Sequence, residues 1–282
     1  MCFRFTSLLL LATVLPSSAA DHSVLRVCAD PNNLPFSNQQ EQGFENHIAT
    51  LLASSLGARL QYTWWPERRS LVKNTLDAGR CDVLPGAPVG LSGVSLTEPY
   101  YSSSYVFVSR ESAAPQVTSL NDPQLSKLRI GLHVVSGDYS SPGNALARRG
   151  LAANLRGYSL FGLSGEEANP PARLIDAVAD GDVDIAVVWG PIAGYFGRRE
   201  KQRLAVRPVL PAADAGVPFT FSMAFAVRQN DHALRERLNV ALRQNCAAVS
   251  KLLEEYGVPR PSLPSGGTAC EPSPASPSAA LR

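Results

Sequence analysis

Ser70-Leu71-Val72-Lys73 matches S-x-x-K, a spacing that lets a lysine one helical turn away activate a serine nucleophile. No K-T-G partner follows it, and Ser70 stands where a helix N-cap is needed, so capping is the simpler role. Glu166 and Glu167 are adjacent within a loop-like stretch and read as a solvated pair, not an acid/base dyad. There is no G-x-S-x-G elbow, no P-loop, no H-E-x-x-H and no G-x-G-x-x-G. His22, His47, His133 and His232 are scattered and no C-x-x-C occurs, so zinc-ligand spacing is absent. Arg198 to Arg203 is a basic run, either an exposed helix end or a docking patch. The expectation is a binding protein, not an enzyme, with no cofactor and no metal of its own.

Cysteine usage points to the compartment. Residues 1–20 read as a signal peptide: Arg4 supplies a positive charge, Leu8 to Leu15 an apolar run, and Ser18-Ala19-Ala20 small residues for cleavage. The alternative is an ordinary buried N-terminal strand. The apolar run is too short to span a bilayer, which takes about 20 residues, and no later run comes close. The mature protein is therefore expected in the periplasm without a membrane anchor. Cys2 leaves with the signal, and Cys28, Cys81, Cys246 and Cys270 remain. An even number in an exported chain favours disulfides.

The elements that must position these residues alternate. Val24 to Ala29 reads as a strand, Phe44 to Leu56 as an amphipathic helix closed by Gly57, and Leu60 to Trp65 as a second strand. Ser70 starts a helix that Gly79 closes, and Cys81 to Leu84 is a third strand. The pattern returns after Pro170-Pro171, with a helix closed by Gly181 and a strand from Val183 to Trp189. Ala78-Gly79-Arg80-Cys81-Asp82-Val83 and Asp180-Gly181-Asp182-Val183-Asp184-Ile185 share one layout, which points to two similar α/β lobes. Tyr105–Val108, Arg129–Val135 and Phe219–Val227 are further strands. Gly143 to Leu155 reads as a helix broken near Gly150, and one long final helix starts at Asp231. Strand–helix alternation implies mostly parallel sheets flanked by helices. With 26 Lys+Arg against 24 Asp+Glu, a net charge of +2 gives no electrostatic basis for nucleic-acid binding. The length of 282 residues allows two lobes that each bury a core.

The chain resembles the type II periplasmic solute-binding proteins over nearly its whole mature length, through Pro35-Phe36, Gly43-Phe44-Glu45 and Thr97-Glu98-Pro99-Tyr100. That resemblance implies a two-lobed α/β fold with two crossings, near Val108–Arg110 and Phe219–Ser222. Residues 21–109 plus 221–270 then form lobe one, 110–220 lobe two, and 271–282 a disordered Pro/Ser/Ala-rich tail. More specifically, it resembles the accessory "J" proteins encoded beside PQQ-dependent alcohol dehydrogenases, especially methanol dehydrogenases. The strings Cys28 to Ser37, Trp65-Pro66-Glu67-Arg68-Arg69, Asn169 to Arg173 and Val187-Val188-Trp189-Gly190-Pro191 carry this resemblance.

In the fold so implied, the first and third strands are neighbours, which pairs Cys28 with Cys81, and Cys246 with Cys270. Amino-acid-binding relatives carry an Arg ten residues before the Pro-Tyr tyrosine and an Asp after the lobe-two strand. Here the aligned residues are Gly90 and Gly190, and desolvating a zwitterion without charged partners costs several kcal/mol per charge. Phe36, Trp65, Tyr100 and Trp189 sit at strand-end turns, where open α/β sheets bind ligands, with Arg68 and Arg69 nearby and Asp138 after the Arg129–Val135 strand. Either Trp65 and Tyr100 are core, or these residues line an aromatic cleft for a small apolar ligand or a partner's side chain. The implied function is to support assembly, activation or electron transfer of a PQQ-dependent alcohol dehydrogenase, the partner being the enzyme or its cytochrome c. The alternative is an ABC-transporter substrate-binding protein for an uncharged small molecule.

Overall fold

Strand β1 (Val24–Ala29) pairs in parallel with β2 (Arg59–Trp64), and helix α1 (Phe44–Ser55) crosses between them. The computed structural model describes residues 23–66, 70–113, 117–135, 138–161, 169–261 and Cys270. The expected signal peptide and tail lie outside the described residues. The loop before α1 folds over the helix N-terminus, where Phe44 N–H donates to Pro35 O and Glu45 N–H to Phe36 O, at 2.9 and 3.0 Å. This satisfies two of the donors that a helix start leaves open. Only glycine permits the approach, because a Cβ on Gly43 would sit 1.9 Å from Phe36 O.

The helix expected after Ser70 shrinks to α2 (Leu71–Asn74). Ser70 is not its side-chain cap: its φ is +64° and its hydroxyl makes no cap hydrogen bond. Thr75 ends the turn, its Oγ1 donating back to Leu71 O at 2.7 Å. The third strand, β3 (Val83–Pro88), starts two residues later than expected and is followed by β4 (Val94–Leu96).

The long strand β5 (Tyr101–Arg110) joins the halves of the molecule. Beyond it come β6 (Ile130–Val135), α3 (Ser141–Arg148) and β7 (Leu155–Ser159). The broken helix expected to reach Leu155 therefore ends at Arg148, and Gly150 turns the chain at φ +79°. Next follow α4 (Arg173–Asp180), β8 (Ile185–Trp189), α5 (Gly190–Gly197), β9 (Leu204–Pro208) and β10 (Thr220–Arg228). The single final helix is two, α6 (His232–Gln244) and α7 (Cys246–Glu255). Asp231 caps α6 through Leu234 N–H, and the break falls at Asn245, whose side chain donates to Ser55 Oγ at 2.7 Å and to Ala241 O at 2.8 Å.

The strands run β7-β6-β8-β5-β10-β3-β1-β2, with β9 added on β5 and β4 on β10. β2, β1 and β3 are mutually parallel, as are β7, β6 and β8. β5 changes partner along its length: Tyr101–Ser104 pair with β10, and Tyr105–Ser109 with β8. The crossing expected near Val108–Arg110 thus falls where β5 is already paired with β8 and β9. Each lobe is a mixed sheet flanked by helices, with three parallel strands and antiparallel partners in β10, β4, β5 and β9. In lobe one α1, α6 and α7 pack on one face around Phe44, Ile48, Phe225 and Leu242. The other face carries a smaller cluster of Leu76, Leu84, Ala226 and the bonded pair Cys28–Cys81. In lobe two both faces have substantial cores, one under α4 and α5, one under α3. Cys246 is bonded to Cys270.

Candidate functional site

The carboxyl ends of β1, β3, β6 and β8 face one another across the junction of the lobes and enclose a cavity of about 660 Å³. That is ample for a drug-sized ligand or a few side chains, the usual pocket range being about 300–1,000 Å³. Phe36 reaches it from the loop over α1, Trp65 from the end of β2, and Trp189 from the end of β8. Trp189 meets Tyr105 at 5.4 Å and Phe221 at 5.9 Å, with interplanar angles of 61° and 65°. Trp65 is half-buried, and the Arg80 guanidinium lies 4.8 Å from its ring centroid.

Tyr100 is core, not cleft. It is 1% exposed, stacks on Phe225 at 4.6 Å, and does not touch the cavity. Its neighbour Tyr101, equally buried in the same cluster, lines the cavity instead. The Tyr100 hydroxyl donates to Glu45 Oε1 at 2.6 Å, and Gly86 N–H donates to the same hydroxyl at 3.1 Å. Burial, together with the Glu45 charge, pushes this phenol well above its usual range. Arg68 and Arg69 lie outside the described residues. Asp138 opens a two-residue strand, Asp138–Tyr139, that pairs back onto β6.

Several lining residues had no signal in the sequence. Tyr101, Tyr105, His133 and Ser140 all face the cavity. Tyr105 is opposite Trp189 in register, and burial pushes its phenol up to about 12. His133 is 6% exposed, and burial pushes its imidazole down to about 4. Its Nε2 lies 3.2 Å from Pro171 O, and a carbonyl only accepts, so Nε2 carries the proton and Nδ1 is left as an acceptor. Asp30 and Glu45 also line the cavity; Asp30 accepts from Asn32 N–H at 2.8 Å.

Neither glycine at the amino-acid anchor positions lines the cavity. A Cβ on Gly190 would lie 2.6 Å from Ser103 Oγ and 2.7 Å from Ser104 O, so no side chain fits there. Trp189, one residue earlier, takes the wall instead. No group of three or more His, Cys, Asp or Glu residues is placed to hold a metal among the described residues. Likewise, no helix among them is long and apolar enough to cross a membrane.

Residues 25–258 match the model of the bacterial extracellular solute-binding proteins, family 3. Protein MoxJ of Methylorubrum extorquens is 31% identical over 251 residues, covering 85% of this chain and 82% of its own. Among solved structures, periplasmic binding protein XoxJ from Methylobacterium extorquens AM1 aligns with a TM-score of 0.68 at 31% identity, covering 85% of this chain and 100% of its own. MxaJ from Methlophaga aminisulfidivorans MPT aligns with a TM-score of 0.70 at 25% identity, covering 84% and 100%.

Proposed function

The chain belongs to the family 3 bacterial extracellular solute-binding proteins, in their MoxJ-like group, and from that premise we propose that it is a periplasmic accessory protein of a PQQ-dependent methanol dehydrogenase. It binds the dehydrogenase or its cytochrome c, supports assembly, activation or electron transfer, and performs no chemistry of its own. The observation that carries this reading is the cavity wall: an aromatic lining with Trp189 in place, and a closed-off Gly190 where a transporter of amino acids would anchor its ligand. Phe36, Trp65 and Trp189 are the proposed contacts, and Arg68, Arg69 and Asp138 are kept as candidates on sequence position alone. Aromatic and Arg side chains supply most of the energy in interfaces of this kind.

The test is recovery of the tagged protein from the periplasm of its own host grown on methanol. The reading expects a quinoprotein dehydrogenase or a c-type cytochrome in the eluate, and slowed growth on methanol when the gene is deleted. A cavity of about 660 Å³ also suits a transport-type protein for an uncharged small molecule. Recovery of such a molecule with no protein partner, and normal growth of the deletion strain, would favour that second reading.

A further inference from the structure

The two walls of the cavity differ in what they offer a ligand. Both walls present rings, and lobe one adds the carboxylates of Asp30 and Glu45. Lobe two presents neutral groups. Tyr105 lines this wall, and burial is what raises its phenol. The Ser140 Oγ is buried there without a hydrogen-bond partner. His133 stays neutral at physiological pH, its imidazole held near 4, and keeps Nδ1 as an acceptor. Buried polar groups are nearly always paired, so the orphaned Ser140 hydroxyl points to a ligand that pairs it, with Tyr105 lining the same wall.

We infer that this wall, through Tyr105, Ser140 and His133, selects an uncharged, planar aromatic group that carries a neutral amide or hydroxyl, either free or within a partner's polypeptide. The rings of Trp65 and Trp189 take the flat body, and the lobe-two hydroxyls take its hydrogen-bonding atoms. The angled packing of Trp189 on Tyr105 and Phe221 means that these rings do not seal one another face to face. The polypeptide source rests on the proposed function; the ligand chemistry does not.

Calorimetry on the full mature protein with N-acetyl-tryptophanamide, free tryptophan and indole tests the inference. The neutral amide should bind about tenfold more tightly than zwitterionic tryptophan. Tyr105→Phe and Ser140→Ala should each weaken the amide about three- to tenfold and leave indole, which has no amide, unchanged. Equal or tighter binding of tryptophan overturns the inference, as does an unchanged amide affinity in a folded Ser140→Ala protein. Competition separates the two sources: displacement of purified dehydrogenase by the amide assigns the group to a polypeptide, and co-occupancy assigns it to a free ligand. A protein that recovers dehydrogenase but shows no preference for the amide overturns this inference alone. Amide selectivity without any recovered partner removes the proposed function and leaves the inference standing.

Discussion

The two lobes open with the same clamp and differ in what surrounds it. In lobe one Arg26 donates through Nε and Nη2 to Asp82, at 2.9 and 2.6 Å, and through Nη1 to Gly79 O at 3.1 Å. In lobe two Arg129 donates through Nε and Nη2 to Asp184, at 3.1 and 2.7 Å, and through Nη2 to Gly181 O at 2.8 Å. Each clamp ties the start of one strand to the turn that leads into its neighbour, β3 in lobe one and β8 in lobe two. Lobe one adds a second cation, Arg228, which reaches Asp82 at 2.9 Å and Cys81 O at 2.7 Å, and the Cys28–Cys81 bond. It carries these additions where one face of its sheet is covered by little more than the four residues of α2. Lobe two, whose sheet is buried on both faces, has no cysteine between residues 110 and 220. The covalent tie stands where helix packing is thin.

Removing that tie should separate the lobes most. Replacing Cys28 and Cys81 by Ala frees a loop of 53 residues in sequence separation, and the chain-entropy model assigns its closure about 4 kcal/mol. Denaturant unfolding followed by native-state hydrogen exchange should show lobe one opening first in the variant. Uniform loss across both lobes would contradict the contrast.

Acid should act the other way round. His133 is held near 4 in the fold against 6.5 unfolded. The unfolded chain therefore takes the proton first, and stability is full above pH 6.5 and falls as pH drops toward 4. A shift of that size corresponds to about 3 kcal/mol. His133→Gln should flatten the stability curve over this window, and an unchanged slope would show that His133 is not the titrating group.

The clamps come next. Burial disfavours the Asp82 carboxylate, but hydrogen bonds from Arg26 and Arg228 outweigh it and leave its pKa below the usual value. For Asp184 the Arg129 hydrogen bonds themselves are the main cause of a lowered pKa. Both contributions are present above the unfolded carboxylate pKa and are lost as pH falls through the lower folded values. The Asp82 side chain is 13% exposed against 26% for Asp184. Asp82→Asn should cost about 1–2 kcal/mol, discounted for solvent screening of the half-exposed Arg26. Asp184→Asn should cost less, and equal melting temperatures for the two variants would erase the distinction.

The repeat of Gly, two residues, Asp and a β-branched residue was legible in the sequence, since the clamp needs that spacing in both lobes. Strand–helix alternation and the terminal glycines also carried the topology. The short fate of α2 was not legible, because the Ser70 backbone is left-handed and sequence pattern favours a cap there. The break at Asn245 hid inside a continuous apolar stripe and depends on a distant partner, Ser55. At the site, residue type pointed to Phe36, Trp65 and Trp189, all of which face the cavity. It could not separate Tyr100 from Tyr101, because both are equally buried in one core cluster and only tertiary packing leaves Tyr101 at the cavity. Tyr105 and His133 reach one cavity through the order of β5, β8 and β6, and Ser140 follows the short strand that pairs back onto β6.

The most direct test of the proposed role is the affinity of purified methanol dehydrogenase, or of its cytochrome c, for the wild-type protein and for Trp65→Ala. Trp65 is half-buried and stacked under Arg80, so its loss should leave the melting temperature nearly unchanged. The wild type should bind measurably and the variant should lose about tenfold or more, equivalent to 1.4 kcal/mol. Full affinity in a folded Trp65→Ala protein would place the contact away from the aromatic cleft, and no binding by the wild type to either partner would contradict the accessory role itself.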